Sequence, residues 1–292
     1  MSYDIYTGLL KAFPLSEEGN AQIRFAYDCS NAEFDRLKRA YQLEAVAGAG
    51  TDFEKAVRLL EWVSGHLYHK GNFNADIPYN ALMLLEYAYD KGAACGISCV
   101  ALATVLSGCL LAVGLKARRV LIMPCSPYDG DSHAVVQVFI GEMNKWVMLD
   151  PTYSAYLTND RKEPLSLLEL RACLAAQKPV FFSAEAGYNG AEWTKADEKS
   201  GIEYFAKNLF YMQTAEISTF QESDSTGCTA GNRIVTLSPN GYDVRQARLN
   251  NIAYRVKQYG DFRQAKEWAE RVEKERCIYG SARDFERAPA LD

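Results

Sequence analysis

Apolar residues recur at helical spacing through the first third of the chain. Ser30-Asn31-Ala32-Glu33 has the spacing of a capping box and predicts a helix through Phe34, Leu37 and Tyr41. Gly48-Ala49-Gly50 interrupts the pattern. A second box, Thr51-Asp52-Phe53-Glu54, opens a helix with Phe53, Val57, Leu60 and Val63 on one face. Residues 71–74 read as a loop and residues 80–89 as another helix. The pattern then changes: residues 99–113 are apolar on every face, between an N-cap serine (Ser98) and a C′ glycine (Gly114). A helix apolar all round belongs inside a domain. Three short runs rich in Val, Ile, Phe and Trp follow, Ala117–Met123, His133–Ile140 and Lys145–Leu149, with Asp129-Gly130 and Gly141-Glu142 as turn signals between them. A central helix followed by antiparallel strands predicts an α+β fold.

After Asp150-Pro151 the pattern weakens. Residues 165–176 read as a helix opened by Ser166 and Glu169, residues 233–237 as a strand and 262–276 as a helix. Residues 204–213 are aromatic-rich and of undecided type, 226–232 read as a loop, and the last dozen residues as frayed. With no internal repeat or low-complexity linker, one domain is expected: a helical lead-in over 1–50, a core over 51–160, and a C-terminal extension over 161–292 packed on it.

Composition narrows the class. Of 292 residues, 48% are hydrophobic and 24% charged, which excludes a disordered chain. A net charge of -5 with dispersed basic residues argues against a nucleic-acid partner. The N-terminal residues lack the basic and apolar regions of a secretory signal, so the eight cysteines read as free thiols of a cytoplasmic protein. Residues 92–115 carry no charge, but the Gly- and Ser-containing start leaves about 15 residues of helix, short of the roughly 20 a bilayer needs. No membrane span is expected. With three histidines in the chain, any histidine chemistry falls to His66, His69 or His133.

Cys99 is predicted at the first position of the buried helix, where unpaired N–H groups and the positive end of the macrodipole favour a thiolate and could receive an oxyanion. Taken alone, it would read as a buried small hydrophobe. The hairpin adds support. A two-residue turn at Gly141-Glu142 pairs residues summing to 283 and sets His133 opposite Asp150. A four-residue loop over 141–144 gives a sum of 285, with Asp150 facing Val135. Either even-length loop leaves the imidazole and the carboxylate on one face. A thiol beside that face completes a nucleophile, base and orienting carboxylate.

Other candidates carry less chemistry. His66 and His69, at i, i+3 near a helix end, fit capping roles; His69 or Asn80 could also line a cleft and help an oxyanion. Trp62 reads as core, with a cleft wall as the alternative. A zinc site at Cys95, Cys99 and a histidine lacks the usual spacing, so no metal is expected.

The blocks Gly96-Ile97-Ser98-Cys99, Ser132-His133-Ala134 and Trp146-Val147-Met148-Leu149-Asp150-Pro151-Thr152, in that order, resemble the core of the transglutaminase-like superfamily; Phe53 and Trp62-Val63 resemble the helix that precedes it. The resemblance covers about residues 51–156. It implies a papain-like fold, with the cysteine helix packed on an antiparallel sheet and helical embellishments at both ends. It also implies Cys99 as nucleophile, His133 as general base and acid, and Asp150 as orienting carboxylate. Where many members carry Trp two residues after the His, this chain has Val135, which alters the expected cleft. The implied activity is a peptidase, amidase or acyl transferase acting through a thioester on a peptide or protein amide, with no cofactor. The alternatives are an inactive binding module of the same fold and a peptide:glycan amidase, which would need an aromatic-lined groove.

Overall fold

A computed structural model describes residues 3–73, 75–221, 232–259 and 262–290. Its centre is the helix Cys99–Ala112, with every residue from Ala101 to Ala112 buried. Ser98 caps it, its side chain accepting the Ala101 N–H at 3.3 Å. Helices Ala32–Tyr41, Asp52–His66 and Ala81–Ala88 surround the cysteine helix. Thr51 and Glu54 form the predicted capping box of the second of these. The first is capped one residue later than expected: Asn31, not Ser30, accepts the Glu33 N–H at 3.0 Å.

Six strands make the main sheet: β1 (Ala117–Met123), β2 (His133–Ile140), β3 (Lys145–Leu149), β4 (Tyr211–Ala215), β5 (Ile234–Leu237) and β6 (Cys277–Tyr279). Their spatial order is β6-β5-β4-β1-β2-β3. The fold is α+β, as expected, but the sheet is mixed: β6 runs parallel to β5, while the other pairings are antiparallel. The β2–β3 register also departs from the two-residue turn. Gly141–Met143 forms a 3-10 turn closed by Asn144 in the left-handed region (φ 47°), so Ile140 pairs with Lys145 and residues sum to 285.

The sheet separates two cores. On one face Ala134, Val136, Val138 and Leu149 pack with the cysteine helix. On the other, Val120, Ile122, Val135 and Met148 pack with Leu170, Phe205 and their neighbours on helices Leu167–Ala175 and Lys195–Asn208. Residues 161–290 thus supply half of the sheet's strands and the helices of its second face. Within the last dozen residues, expected to be frayed, the chain forms a helix as far as Glu286. β6 is followed by a Ser281–Asp284 capping box and the helix Ala282–Glu286. The fully buried Arg118 donates to the Phe285 carbonyl and to Gln137 Oε1, and its guanidinium lies 4.2 Å from the Trp146 ring centroid. The loop expected at 226–232 lies, except for Asn232, outside the described residues.

Candidate active site

Cys99 begins the central helix and His133 begins β2, and the two meet where those elements start. His133 projects from the face opposite the cysteine helix, since its cross-strand partner is Ile122 of the second core. The thiol reaches the ring at the strand's beginning, not across the sheet face. Asp150 follows β3 directly. In the observed register it is diagonal to His133 on the same face, and its Oδ2 lies 2.7 Å from His133 Nε2. This leaves Nδ1 for the thiol. Asp150 Oδ1 accepts the backbone N–H groups of Thr152 (2.8 Å) and Tyr153 (3.4 Å), and its own N–H and C=O pair with Ala155. The Asp-Pro-Thr turn therefore spends one carboxylate oxygen on fixing the turn and aims the other at the imidazole.

Both partners of this pair are buried. The ring of His133 stacks on Tyr153 at 5.4 Å and meets Tyr204 and Phe205 edge-on at 5.4 and 6.0 Å. Burial would lower the histidine's pKa, but the charge and hydrogen bond of Asp150, with the thiol beside it, push it up to about 10. Burial likewise pushes the Cys99 thiol up. The hydrogen bond and charge of the His133 ring, with the His69 ring beside the thiol, outweigh that and bring it down to about 6. Cys109, ten residues along the same helix, has burial without an imidazole, and its thiol is pushed far up. The arrangement favours a thiolate–imidazolium pair over a neutral one.

The other sequence candidates divide. His69 is brought to the thiol. Val135 is fully buried in the second core and does not line a cleft, because β2 turns it toward Met148 and the helices beyond. Asn80 caps Ala81–Ala88 by accepting the Met83 N–H at 2.9 Å. Trp62 packs with Tyr41, His66 and Tyr89, and none of its ring contacts is with the catalytic candidates. His66 pairs with Asp90 at 2.7 Å rather than capping carbonyls. Cys95 ends the 3-10 turn Gly92–Cys95, and among the described residues no group of three or more His, Cys, Asp or Glu side chains could hold a metal. No helix among them is long and apolar enough to cross a membrane.

Sequence reasoning missed the residues that cover the site: Tyr153 just after Asp150 and, from the later part of the chain, Tyr204 and Phe205 around His133 and Tyr188 and Asn189 at His69. A signal for the last two was present. Asn189-Gly190 is a hairpin dipeptide, and both residues have the positive φ (52° and 80°) of the tight turn joining Gly187–Tyr188 to Ala191–Glu192.

Residues 39–151 match the family model described as the transglutaminase-like superfamily. Among solved structures, the chain is similar to a Cytophaga hutchinsonii protein described as a "putative cysteine protease", at 15% identity and a TM-score of 0.32, over 55% of this chain and 53% of that one. The chain thus spans about half the length of that structure. No curated protein matches the sequence.

Proposed function

We propose that this protein is a cysteine-dependent amide-bond enzyme, a peptidase or amidase, in which Cys99 is the nucleophile, His133 the general base and acid, and Asp150 the orienting carboxylate. The observation that carries the reading is the Cys99 thiol, held against a buried imidazole that is itself locked to a buried carboxylate, with its pKa brought down to about 6. The thiolate adds to the amide carbonyl. First-turn N–H groups of the cysteine helix donate hydrogen bonds to the developing oxyanion. The imidazolium of His133 gives its proton to the departing amine, leaving a thioester on Cys99. A water, deprotonated by the now neutral His133, then attacks the thioester and releases the acid. An amine in place of water would make the same site an acyl transferase.

The deciding experiment is the alkylation rate of each cysteine against pH, read by peptide mapping on the wild type and His133→Ala, together with release of amine from a peptide amide library. The expected result is fast alkylation confined to Cys99 below pH 7, lost in His133→Ala, and amine release abolished in Cys99→Ala. If Cys99 reacts as slowly as Cys109, the pair does not exist and the fold serves as a binding module.

A further inference from the structure

We propose that His69 is a second catalytic imidazole of this site: its Nε2–H donates to the oxyanion formed on the carbonyl that Cys99 attacks, and the Tyr188 hydroxyl holds the tautomer that puts the proton there. The inference rests on the reading of Cys99 as nucleophile.

The backbone of His69 is fixed from two sides. It pairs in parallel with Ile97, whose N–H donates to the Tyr68 carbonyl at 2.9 Å and whose carbonyl accepts the Lys70 N–H at 2.8 Å. Gly96 permits that approach, because a Cβ there would lie 2.8 Å from Lys70 Cβ. On the other side the Asn189 side chain accepts the His69 N–H at 2.7 Å and donates to its carbonyl at 3.2 Å. The ring is therefore carried to within reach of the first residue of the cysteine helix and clasped there by a hairpin from residues 187–192.

The two ring nitrogens are not equivalent. Nδ1 lies 2.9 Å from the Tyr188 hydroxyl. Burial raises the pKa of that phenol, so it keeps its proton and can donate it to Nδ1. A neutral imidazole that accepts at Nδ1 carries its hydrogen on Nε2. That nitrogen is shut off from solvent and has no hydrogen-bond partner in the resting structure, while the same ring lies against the thiol. An unfilled buried donor is a standing cost unless a partner arrives during the reaction. An oxygen on the carbon bonded to Cys99 Sγ would be such a partner. In this step the thiolate forms the S–C bond and the carbonyl π pair moves onto oxygen. His69 donates a hydrogen bond and keeps its proton, and the leaving group still takes its proton from His133.

Iodoacetamide alkylation creates no oxyanion, whereas acylation by p-nitrophenyl acetate does, so the two probes separate this role from thiolate formation. At a pH where the thiol is fully ionised, His69→Ala should slow acylation about 100-fold while alkylation stays within about twofold. His69→Gln, whose amide can place an N–H near the position of Nε2, should recover acylation to within about tenfold, and the shorter His69→Asn should not. In 15N NMR the wild type should show His69 as the Nε2–H tautomer, with the Nδ1–H form appearing in Tyr188→Phe. Equal loss of both reactions in a folded His69→Ala, unchanged acylation, or an Nδ1–H tautomer in the wild type overturns the proposal and leaves the Cys99–His133 reading standing. No acylation of wild-type Cys99 overturns both.

Discussion

The parts of the chain before and after residue 160 build one sheet by different rules. β1, β2 and β3 are consecutive in sequence and adjacent in space, joined by short connections, each antiparallel to the next. β4 arrives some 90 residues after β1, pairs directly with it, and is followed outward by β5 and a parallel β6. The first part is local and the second is held by contacts distant in sequence. Yet both reach the same thiol. The earlier part supplies Cys99, His133 and Asp150; the later part supplies Tyr204 and Phe205 against His133 and the Tyr188–Asn189 clasp on His69. The groups proposed to react come from the segment that can be read locally, and their environment from the segment that cannot.

The sharpest way to break this division is to damage the charge relationship of the earlier part alone. Asp150→Asn keeps a side chain that can still accept the Thr152 N–H but takes away the charge that holds His133 protonated. Acyl transfer should fall by about 10³–10⁴, with the fold retained. The pH at which Cys99 becomes alkylated should rise in the same variant, because a less basic His133 stabilises the thiolate less. A loss under tenfold would mean that Asp150 serves the turn and not the chemistry.

The later part is tested by its packing. Phe205 is fully buried in the second core and meets the His133 ring at 6.0 Å. Phe205→Ala should cost about 3–5 kcal/mol, as should loss of a large side chain from any well-packed core. Leu106→Ala on the cysteine helix should cost about 2–5 kcal/mol. Since the sheet carries both cores, each variant should unfold in a single shifted urea transition. Two separated transitions in Phe205→Ala would show that residues 161–290 form a unit of their own.

The same division explains what could be read in advance. The cysteine helix was legible because its apolar run has no polar face and is bracketed by Ser98 and Gly114. The three early strands were legible because their bounds coincide with turn residues. Their register was legible only as two alternatives, and Asn144 decides for the four-residue loop by adopting a left-handed conformation that Gly141-Glu142 alone does not announce. The helix Lys195–Asn208 was missed although Thr194 and Asp197 form a capping box: most of its residues are charged, polar or small, and the buried face falls to few positions. β6 is three residues long and paired in parallel, so nothing local specifies it. His69 sits in no periodic pattern at all. Its place depends on Gly96, read from sequence only as part of a motif.

The pH profile sharpens the comparison inside the site. Below about pH 6 the Cys99 thiol regains its proton, so alkylation and acyl transfer should both fall, about tenfold per unit. Above about pH 10 His133 loses its proton. The thiolate persists there, so alkylation should hold, while acyl transfer should fall for want of an acid to protonate the leaving amine. Two limbs for transfer and one for alkylation are expected from a single enzyme preparation. Matching profiles would mean that His133 does not act as the acid. Gly96→Ala comes next in size. The added Cβ meets Lys70 Cβ at 2.8 Å, which should cost about 1–3 kcal/mol and shift His69 from the thiol.

The smallest effect expected is at the salt bridge that joins the two parts outside the core. Lys207, on the later helix, lies 3.1 Å from both Asp129 and Asp131 in the loop leading to His133. Asp131 is more than half exposed and Asp129 partly so, so solvent screens much of the attraction, and Lys207→Met should cost less than about 1 kcal/mol. The loop is held independently: the Tyr204 hydroxyl donates to the Ser132 carbonyl at 3.2 Å, one residue before the imidazole. If His133 is positioned by packing and that hydrogen bond, Lys207→Met should leave the pH limbs of acyl transfer unmoved, while Tyr204→Phe shifts them modestly. A larger shift in Lys207→Met would move the decisive contact between the two parts from the buried aromatic wall to the exposed charge.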